Sequence, residues 1–112
     1  MITKEVIERA TTHRRHLHMY PEVSGEEVET TRYIREALEA MGLTCWNLKS
    51  KTGVVAELGN CEGPTLALRA DIDALPIVEQ TGLDYASKNE GAMHACGHDF
   101  HTASLLGAVQ VL

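Results

Sequence analysis

The chain has 112 residues, of which 44% are hydrophobic, so it is long and apolar enough for one small domain with a core. Its formal net charge of −6 argues against binding to nucleic acid or to an anionic membrane, and it has neither a membrane-spanning apolar run nor a signal peptide. Three cysteines, an odd number, fit a reducing compartment better than a disulfide framework, so we expect a cytoplasmic protein without nucleic-acid or membrane partners.

Two amphipathic helices are predicted at the start of the chain. Residues 3–19 place apolar side chains at helical spacing among charged neighbours and end before Pro21. Residues 24–27 then form a Ser-x-x-Glu capping box, and Gly42 stops the helix that follows it. The buried stripe of that second helix is predicted to consist of Val28, Thr31, Ile34, Leu38 and Met41.

A small basic cluster lies near the end of the first predicted helix. It consists of Arg14, Arg15, His16 and His18. Runs of charge usually face solvent, so we favour a solvated helix face over a substrate-binding role for these side chains.

Residues 44–48, 53–58 and 65–70 are predicted to be three strands separated by turn residues. The third strand ends in Asp71 and Asp73, whose spacing of two allows both carboxylates to lie on one side of the strand exit. Ligands of open α/β sheets bind in the crevice beyond the strand ends. The two carboxylates could bridge metal ions or orient a metal-bound histidine. An Asx-type turn is the alternative of equal weight.

The densest set of metal-binding side chains is the run 93–101, which holds one thiol, three imidazoles and one carboxylate. Such side chains bind first-row divalent ions such as zinc. Cys96 and His98 are two residues apart, and Gly97 between them allows a tight turn, so we predict these two as metal ligands. His94, Asp99 and His101 are predicted to orient the ligands or to face the substrate.

Two ligands are too few for a zinc site, because catalytic zinc takes three protein ligands and structural zinc takes four. The other ligands must therefore come from elsewhere. Cys45 and Cys61 form no Cys-x-x-Cys pair, and we interpret them as structural thiols. A redox role, with Cys96 as a thiol activated by His98, is a weaker alternative, because Cys96 is not part of a Cys-x-x-Cys motif beside a strand.

Residues 100–112 are small and apolar, which predicts a helix that is buried on most sides. The pattern ends without a glycine cap or a basic last turn, so we interpret the chain as a fragment of a longer enzyme. An incomplete sheet would expose an apolar edge and face, and we expect the isolated fragment to be marginally stable or prone to aggregation.

Four segments together resemble the N-terminal part of the metal-dependent amidohydrolases, a family of the co-catalytic dinuclear zinc peptidase superfamily that includes hippurate hydrolase, N-acyl-amino-acid amidohydrolase and the auxin-conjugate hydrolases. The segments are 17–22 (LHMYPE), 69–76 (RADIDALP), 79–83 (EQTGL) and 93–99 (MHACGHD). The resemblance implies that residues 1–112 are the N-terminal part of an α/β, zinc-peptidase-like catalytic domain. This part has two helices, then strands of an incomplete sheet and a truncated helix, and it lacks the lid or dimerisation domain and the C-terminal catalytic half.

The resemblance also implies a function. It implies that the parent enzyme hydrolyses the amide bond of N-acyl amino acids with two divalent ions, zinc first and manganese, nickel or cobalt as alternatives. Cys96 and His98 match two of the metal ligands. Asp71 and Asp73 stand where the superfamily has a His-x-Asp motif, which makes Asp71 either a catalytic carboxylate or a ligand and makes Asp73 an orienting group.

The general-base glutamate of the family lies in a Glu-Glu pair beyond the Cys-Gly-His motif. That pair and the further histidine ligands are not in these 112 residues. We therefore expect the fragment alone to be inactive, with a non-catalytic metal-binding remnant as the alternative. Dimerisation of the parent through its lid domain is a further expectation.

Overall fold

A computed structural model describes residues 1–60 and 62–112, so Cys61, interpreted above as a structural thiol, lies outside the described residues. The described chain contains three helices and a two-stranded sheet. These elements are α1 (Lys4–Met19), α2 (Val28–Ala40), β1 (Thr44–Cys45), β2 (Ala56–Glu57) and α3 (His98–Val111). The predicted order of two helices, strands and a final helix is confirmed.

Helix α1 begins where the sequence predicted and packs against α3. The Thr3 hydroxyl oxygen accepts a hydrogen bond from the Val6 N–H at 3.3 Å, which satisfies one of the free N–H groups at the helix start. Gly107 of α3 faces Ala10 and Val6 of α1, and a Cβ at this glycine would lie 3.6 Å from the Ala10 Cβ. The small residue therefore lets the two helices approach closely.

Helix α2 ends just before Gly42 as predicted, but it begins at Val28 and not directly after Ser24, so the predicted capping box is wrong. Glu27 is the N-cap residue and makes no side-chain bond to the helix; its carboxylate instead accepts the Gly25 N–H at 2.9 Å. The cap comes from Glu22, whose Oε1 accepts both the N–H and the hydroxyl of Thr30 at 2.6 Å. A carboxylate from outside the helix thus meets the positive end of the helix dipole.

The sheet is smaller than predicted. β1 and β2 pair antiparallel, with Thr44 opposite Glu57, so only parts of the segments 44–48 and 53–58 are paired. The strand predicted at 65–70 is wrong for the described chain, in which this segment pairs with no strand. Leu66 and Leu68 are 83% and 53% exposed. An interior strand needs neighbours to form its hydrogen bonds, and the described residues do not supply them.

The core centres on Ile34 and Leu38 of α2 and Leu106 of α3, all buried. Cys45 and Val54 pack against them, which joins the small sheet to the helices. In the described residues, none of the helices is both long and apolar enough to cross a membrane.

Backbone hydrogen bonds hold the segment 71–75 between two other parts of the chain. The Ala74 N–H donates to the Glu22 carbonyl at 2.8 Å. On the other side, Leu75 and Met93 exchange two hydrogen bonds of 2.9 Å each. This pairing brings the carboxylates that follow the predicted third strand beside the run 93–101.

Candidate functional site

A sharp turn at Gly97 separates Cys96 from His98. Gly97 is the N-cap of α3 and has φ of +85°, a left-handed conformation in which a residue with a Cβ would be strained. The tight turn predicted here is therefore present. Helix α3 begins at His98, two residues earlier than predicted, and includes Asp99 in its first turn, whereas Cys96 precedes the turn and is exposed.

His98 lies between the two predicted carboxylates. Its Nδ1 is 2.8 Å from the carbonyl oxygen of Asp73 and 3.0 Å from Oδ1 of the same residue. Both neighbours are acceptors, so Nδ1 is the nitrogen that carries the proton in the neutral ring. Nε2, which then has the free lone pair, lies 4.0 Å from Oδ2 of Asp71. The spacing of two thus places both carboxylates beside one imidazole.

The side chains around His98 suit a divalent cation. Imidazole nitrogen and carboxylate oxygen both bind zinc, at about 2.0–2.2 Å. Nε2 of His98 and Oδ2 of Asp71 are 4.0 Å apart, which is too long for a hydrogen bond. One metal ion could still bind both atoms, because two metal–ligand bonds together span this distance. Within residues 1–60 and 62–112, no three His, Cys, Asp or Glu side chains are grouped to hold an ion. An ion bound beside His98 would therefore need further ligands in addition to His98 and Asp71.

Arg69 and Thr102 fix Asp71. The Arg69 guanidinium pairs with its Oδ1, and the Thr102 hydroxyl donates to its carbonyl oxygen at 3.1 Å. Arg69 is exposed, so the pair adds little stability. It does leave Oδ2 as the carboxylate oxygen nearest His98.

A second polar cluster is buried behind the first turn of α3. Oδ2 of Asp99 is 2.8 Å from Nδ1 of His18, and the Arg14 Nε–H donates to the same oxygen at 3.0 Å. Oε1 of Glu79 lies 3.0 Å from Nε2 of His18, close enough for an ion pair but outside hydrogen-bond geometry. The side chains of His18, Glu79 and Asp99 are 3%, 3% and 1% exposed.

The solvated basic cluster predicted on α1 is therefore wrong for two of its members. Arg14 and His18 are four residues apart, which places them on one face of α1, and both bind Asp99. Arg15, on the neighbouring face, is exposed as predicted. The sequence feature that could have identified His18 as a site residue is its place in the segment 17–22, which resembles the family pattern.

The carboxyl group of Glu79 is ionised in this cluster. Burial alone would raise its pKa, but hydrogen bonds from the Thr81 hydroxyl and the Ser87 N–H, together with the nearby His18 imidazole, lower the pKa below its ordinary value. Hydrogen bonds to the charged form stabilise it. Glu79 was not predicted as a site residue, although it opens the segment 79–83 of the resemblance.

His94 is buried, and among the described residues neither ring nitrogen has a hydrogen-bond partner. Burial lowers its pKa; the charges of Asp99 and Asp73 oppose this shift, while His18 and His98 add to it. The imidazole is therefore neutral.

His101 is exposed, and its ring centroid lies 6.0 Å from that of His98. A Cβ at Gly97 would lie 3.6 Å from Nε2 of His101. The structure thus brings His94 and Asp99 behind His98 and leaves His101 at the surface beside it.

Comparisons with known proteins show what this chain is similar to. Residues 67–112 match the model of the peptidase family M20/M25/M40. A solved structure from Bacillus subtilis, described as a dinuclear metal binding peptidase from the M20 family, superposes with a TM-score of 0.94 at 53% identity, over 98% of this chain and 32% of that one. The predicted resemblance is confirmed by the family match over residues 67–112, and the predicted fold, a partial peptidase-like α/β domain, is confirmed.

Two of the curated relatives illustrate the activities for which these proteins are named. The N-acetyl-L-cysteine deacetylase of Bacillus subtilis (strain 168) is 62% identical over 100 residues, which are 88% of this chain and 24% of the relative. The N-acyl-L-amino acid amidohydrolase of Geobacillus stearothermophilus is 44% identical over 98% of this chain and 32% of its own length. The chain thus spans about a quarter to a third of these relatives.

Proposed function

We propose that residues 1–112 are the N-terminal part of the catalytic domain of a metal-dependent amidohydrolase that hydrolyses the amide bond of N-acyl amino acids. The observation that carries this proposal is His98, held at Nδ1 by Asp73 and facing Asp71 with Nε2. The match of residues 67–112 to the family model supports the same reaction class. The two relatives named above act on N-acyl amino acids by name, which makes N-acetyl-L-cysteine the first substrate to test.

In this proposal each side chain has a defined task. Asp73 keeps the proton of His98 on Nδ1, so that Nε2 offers its lone pair to an ion. Cys96 supplies a thiolate from the other side of the Gly97 turn. Asp71 stands beside Nε2 as a ligand or as a catalytic carboxylate. His94, Asp99 and His101 orient these groups or face the substrate.

Two bound divalent ions, zinc first and manganese, nickel or cobalt as alternatives, would activate a water molecule and polarise the acyl carbonyl. The general-base Glu-Glu pair and the further histidine ligands that the resemblance implies are not in this sequence. The 112 residues alone are therefore expected to bind metal without turning over substrate.

We also propose the wider setting of the whole enzyme. It takes a small-molecule substrate, binds neither nucleic acid nor membrane, acts in the cytoplasm and dimerises through a lid domain. The names of the relatives support the small-molecule substrate. The net charge of −6 supports the absence of nucleic-acid and membrane partners, and the odd number of cysteines supports the cytoplasmic location. The dimer rests on the resemblance alone.

Two experiments test the proposal. In the first, the chain is titrated with Co²⁺, whose bond to a thiolate gives a near-ultraviolet absorption band. Cys96→Ser should abolish the band, and His98→Asn should weaken binding by tenfold or more; Cys45→Ser is the matched control and should change neither. Thiol reactivity of Cys96 that chelators leave unchanged would instead favour the redox alternative.

In the second experiment, this chain replaces the matched segment of the Bacillus subtilis N-acetyl-L-cysteine deacetylase. The chimera should release cysteine from N-acetyl-L-cysteine, and Cys96→Ser in the chimera should remove most of that activity. A folded chimera without activity, beside an active parent, would contradict the proposed reaction. A chain that binds Co²⁺ but yields only inactive, folded chimeras would be a non-catalytic metal-binding remnant.

A further inference from the structure

His18 connects α1 to the turn that carries His98. Its Nδ1 is 2.8 Å from Oδ2 of Asp99, the residue that follows His98 in the first turn of α3. The Arg14 Nε–H donates to the same oxygen at 3.0 Å, so two side chains of α1 converge on this one atom. The Asp99 side chain is 1% exposed, and water does not compete for these bonds.

The segment after α1 is also bonded to the chain next to Asp73, the hydrogen-bond partner of His98. Four residues beyond His18, the carbonyl of Glu22 accepts the N–H of Ala74, the residue that follows Asp73. Residues at and just after the end of α1 thus bind the chain neighbours of both His98 and Asp73. A rotation of α3 that broke the Asp99 bonds would also carry His98 away from Asp73, because neighbouring residues in a helix move together.

We propose that His18 is a positioning residue for His98: acting through Asp99, it fixes the first turn of α3 so that Nδ1 of His98 stays on Asp73 and Nε2 faces Asp71. The positioning rests on the geometry of this chain. Only its consequence for metal affinity rests on the proposed function.

Two isosteric variants separate the contacts of His18. In His18→Asn the side-chain amide nitrogen occupies the place of Nδ1 and keeps the bond to Asp99. In His18→Gln the amide reaches the place of Nε2, near Glu79, and the bond to Asp99 is lost. His16→Gln removes another partly buried imidazole from the same helix and is the matched control.

The readout is the tautomer of His98, measured by proton–nitrogen NMR at about pH 8, where an ordinary imidazole is neutral. The unmodified chain, His18→Asn and His16→Gln should show the proton on Nδ1. His18→Gln should show a mixture of tautomers and faster exchange of that proton with water. A His18→Gln variant with reduced thermal stability but an unchanged His98 tautomer would overturn the proposal, since His18 would then be only structural.

Two further measurements keep the test decisive. If His18→Gln does not fold, Arg14→Gln removes the second donor to Asp99 at a partly exposed position and should shift the tautomer in the same direction by less. Co²⁺ affinity should fall by about tenfold in His18→Gln and not in His18→Asn, the usual effect of losing a group that orients a ligand. Altered tautomers without any Co²⁺ binding would refute the proposed function and leave the positioning role intact.

Discussion

Replacing Asp99 by Asn should cost about 2 kcal/mol of folding stability. The amide has the shape of the carboxylate and keeps one acceptor oxygen, so the main loss is the charge. A net hydrogen bond to a charged group is worth about 1.5–3 kcal/mol and a neutral one about 0.5–1.5 kcal/mol, so the buried His18 bond should lose roughly 1–1.5 kcal/mol. The Arg14 bond should lose less than about 1 kcal/mol, because that side chain is 32% exposed and partly screened by water.

A loss of about 2 kcal/mol should lower the midpoint of thermal unfolding by roughly 10 °C in a chain of this size. The measurement is thermal and urea unfolding followed by helical circular dichroism. Asp84→Asn, at an exposed position, is the matched control and should stay within about 0.5 kcal/mol of the unmodified chain. Equal stability of the two variants would refute the view that the buried carboxylate joins α1 to α3.

Three other substitutions test the electrostatics and the exposed surface. The pKa of Glu79 is held below its ordinary value of 4.5, so its carboxylate stabilises the fold above that pH and stops doing so as the pH falls through the lowered value. Glu79→Gln should therefore destabilise the chain at neutral pH and much less in acid. An equal loss of stability at both pH values would contradict this. His94→Leu should stabilise the chain by about 1 kcal/mol, because both ring nitrogens lack partners in the described structure; destabilisation in urea unfolding would mean that His94 binds a further group. The double variant Leu66→Ser and Leu68→Ser should reduce light scattering on concentration more than Ile2→Ser does, since Leu66 and Leu68 lie together on an unpaired segment; equal scattering would place the aggregating surface elsewhere.

The helices were predictable because their signals are local. Apolar spacing and the punctuating residues Pro21 and Gly42 gave the ends of α1 and α2 to within two residues. The cap of α2 was not predictable in the same way. The residue that caps it, Glu22, lies outside the short Ser-x-x-Glu pattern and reaches the helix only because the chain folds back before Val28.

Strand pairing is not local, which explains the wrong prediction for residues 65–70. Apolar alternation shows that a segment suits a sheet, but only a neighbouring strand provides the hydrogen bonds. The segments 44–48 and 53–58 are near each other in sequence and pair across two residues each. The segment 65–70 has no such neighbour among the described residues, and its leucines remain exposed.

For the site, spacing predicted that the two carboxylates would lie together but not which side chains would be buried. Asp71 and Asp73 both reach His98, as their spacing of two allowed. The burial of His18 was not predicted, because the basic cluster was judged by its composition and the side chains were not assigned to separate faces of the helix. Counting in fours from Arg14 would have separated His18 from Arg15.

The two faces of the first turn of α3 differ in how exposed their polar side chains are. Behind it, the side chains of His18 and Asp99 are 3% and 1% exposed. Oδ2 of Asp99 binds both His18 and Arg14, whereas Oδ1 of Asp99 and Nε2 of His18 have no hydrogen-bond partner among the described residues. In front, Asp71 is half exposed and Cys96 is exposed. A further ligand can reach the buried groups only if the close packing around them opens, whereas exposed groups can be covered without breaking existing contacts. We therefore expect any additional metal ligand to approach His98 from the Asp71 side, with the α1 side serving as the rigid support.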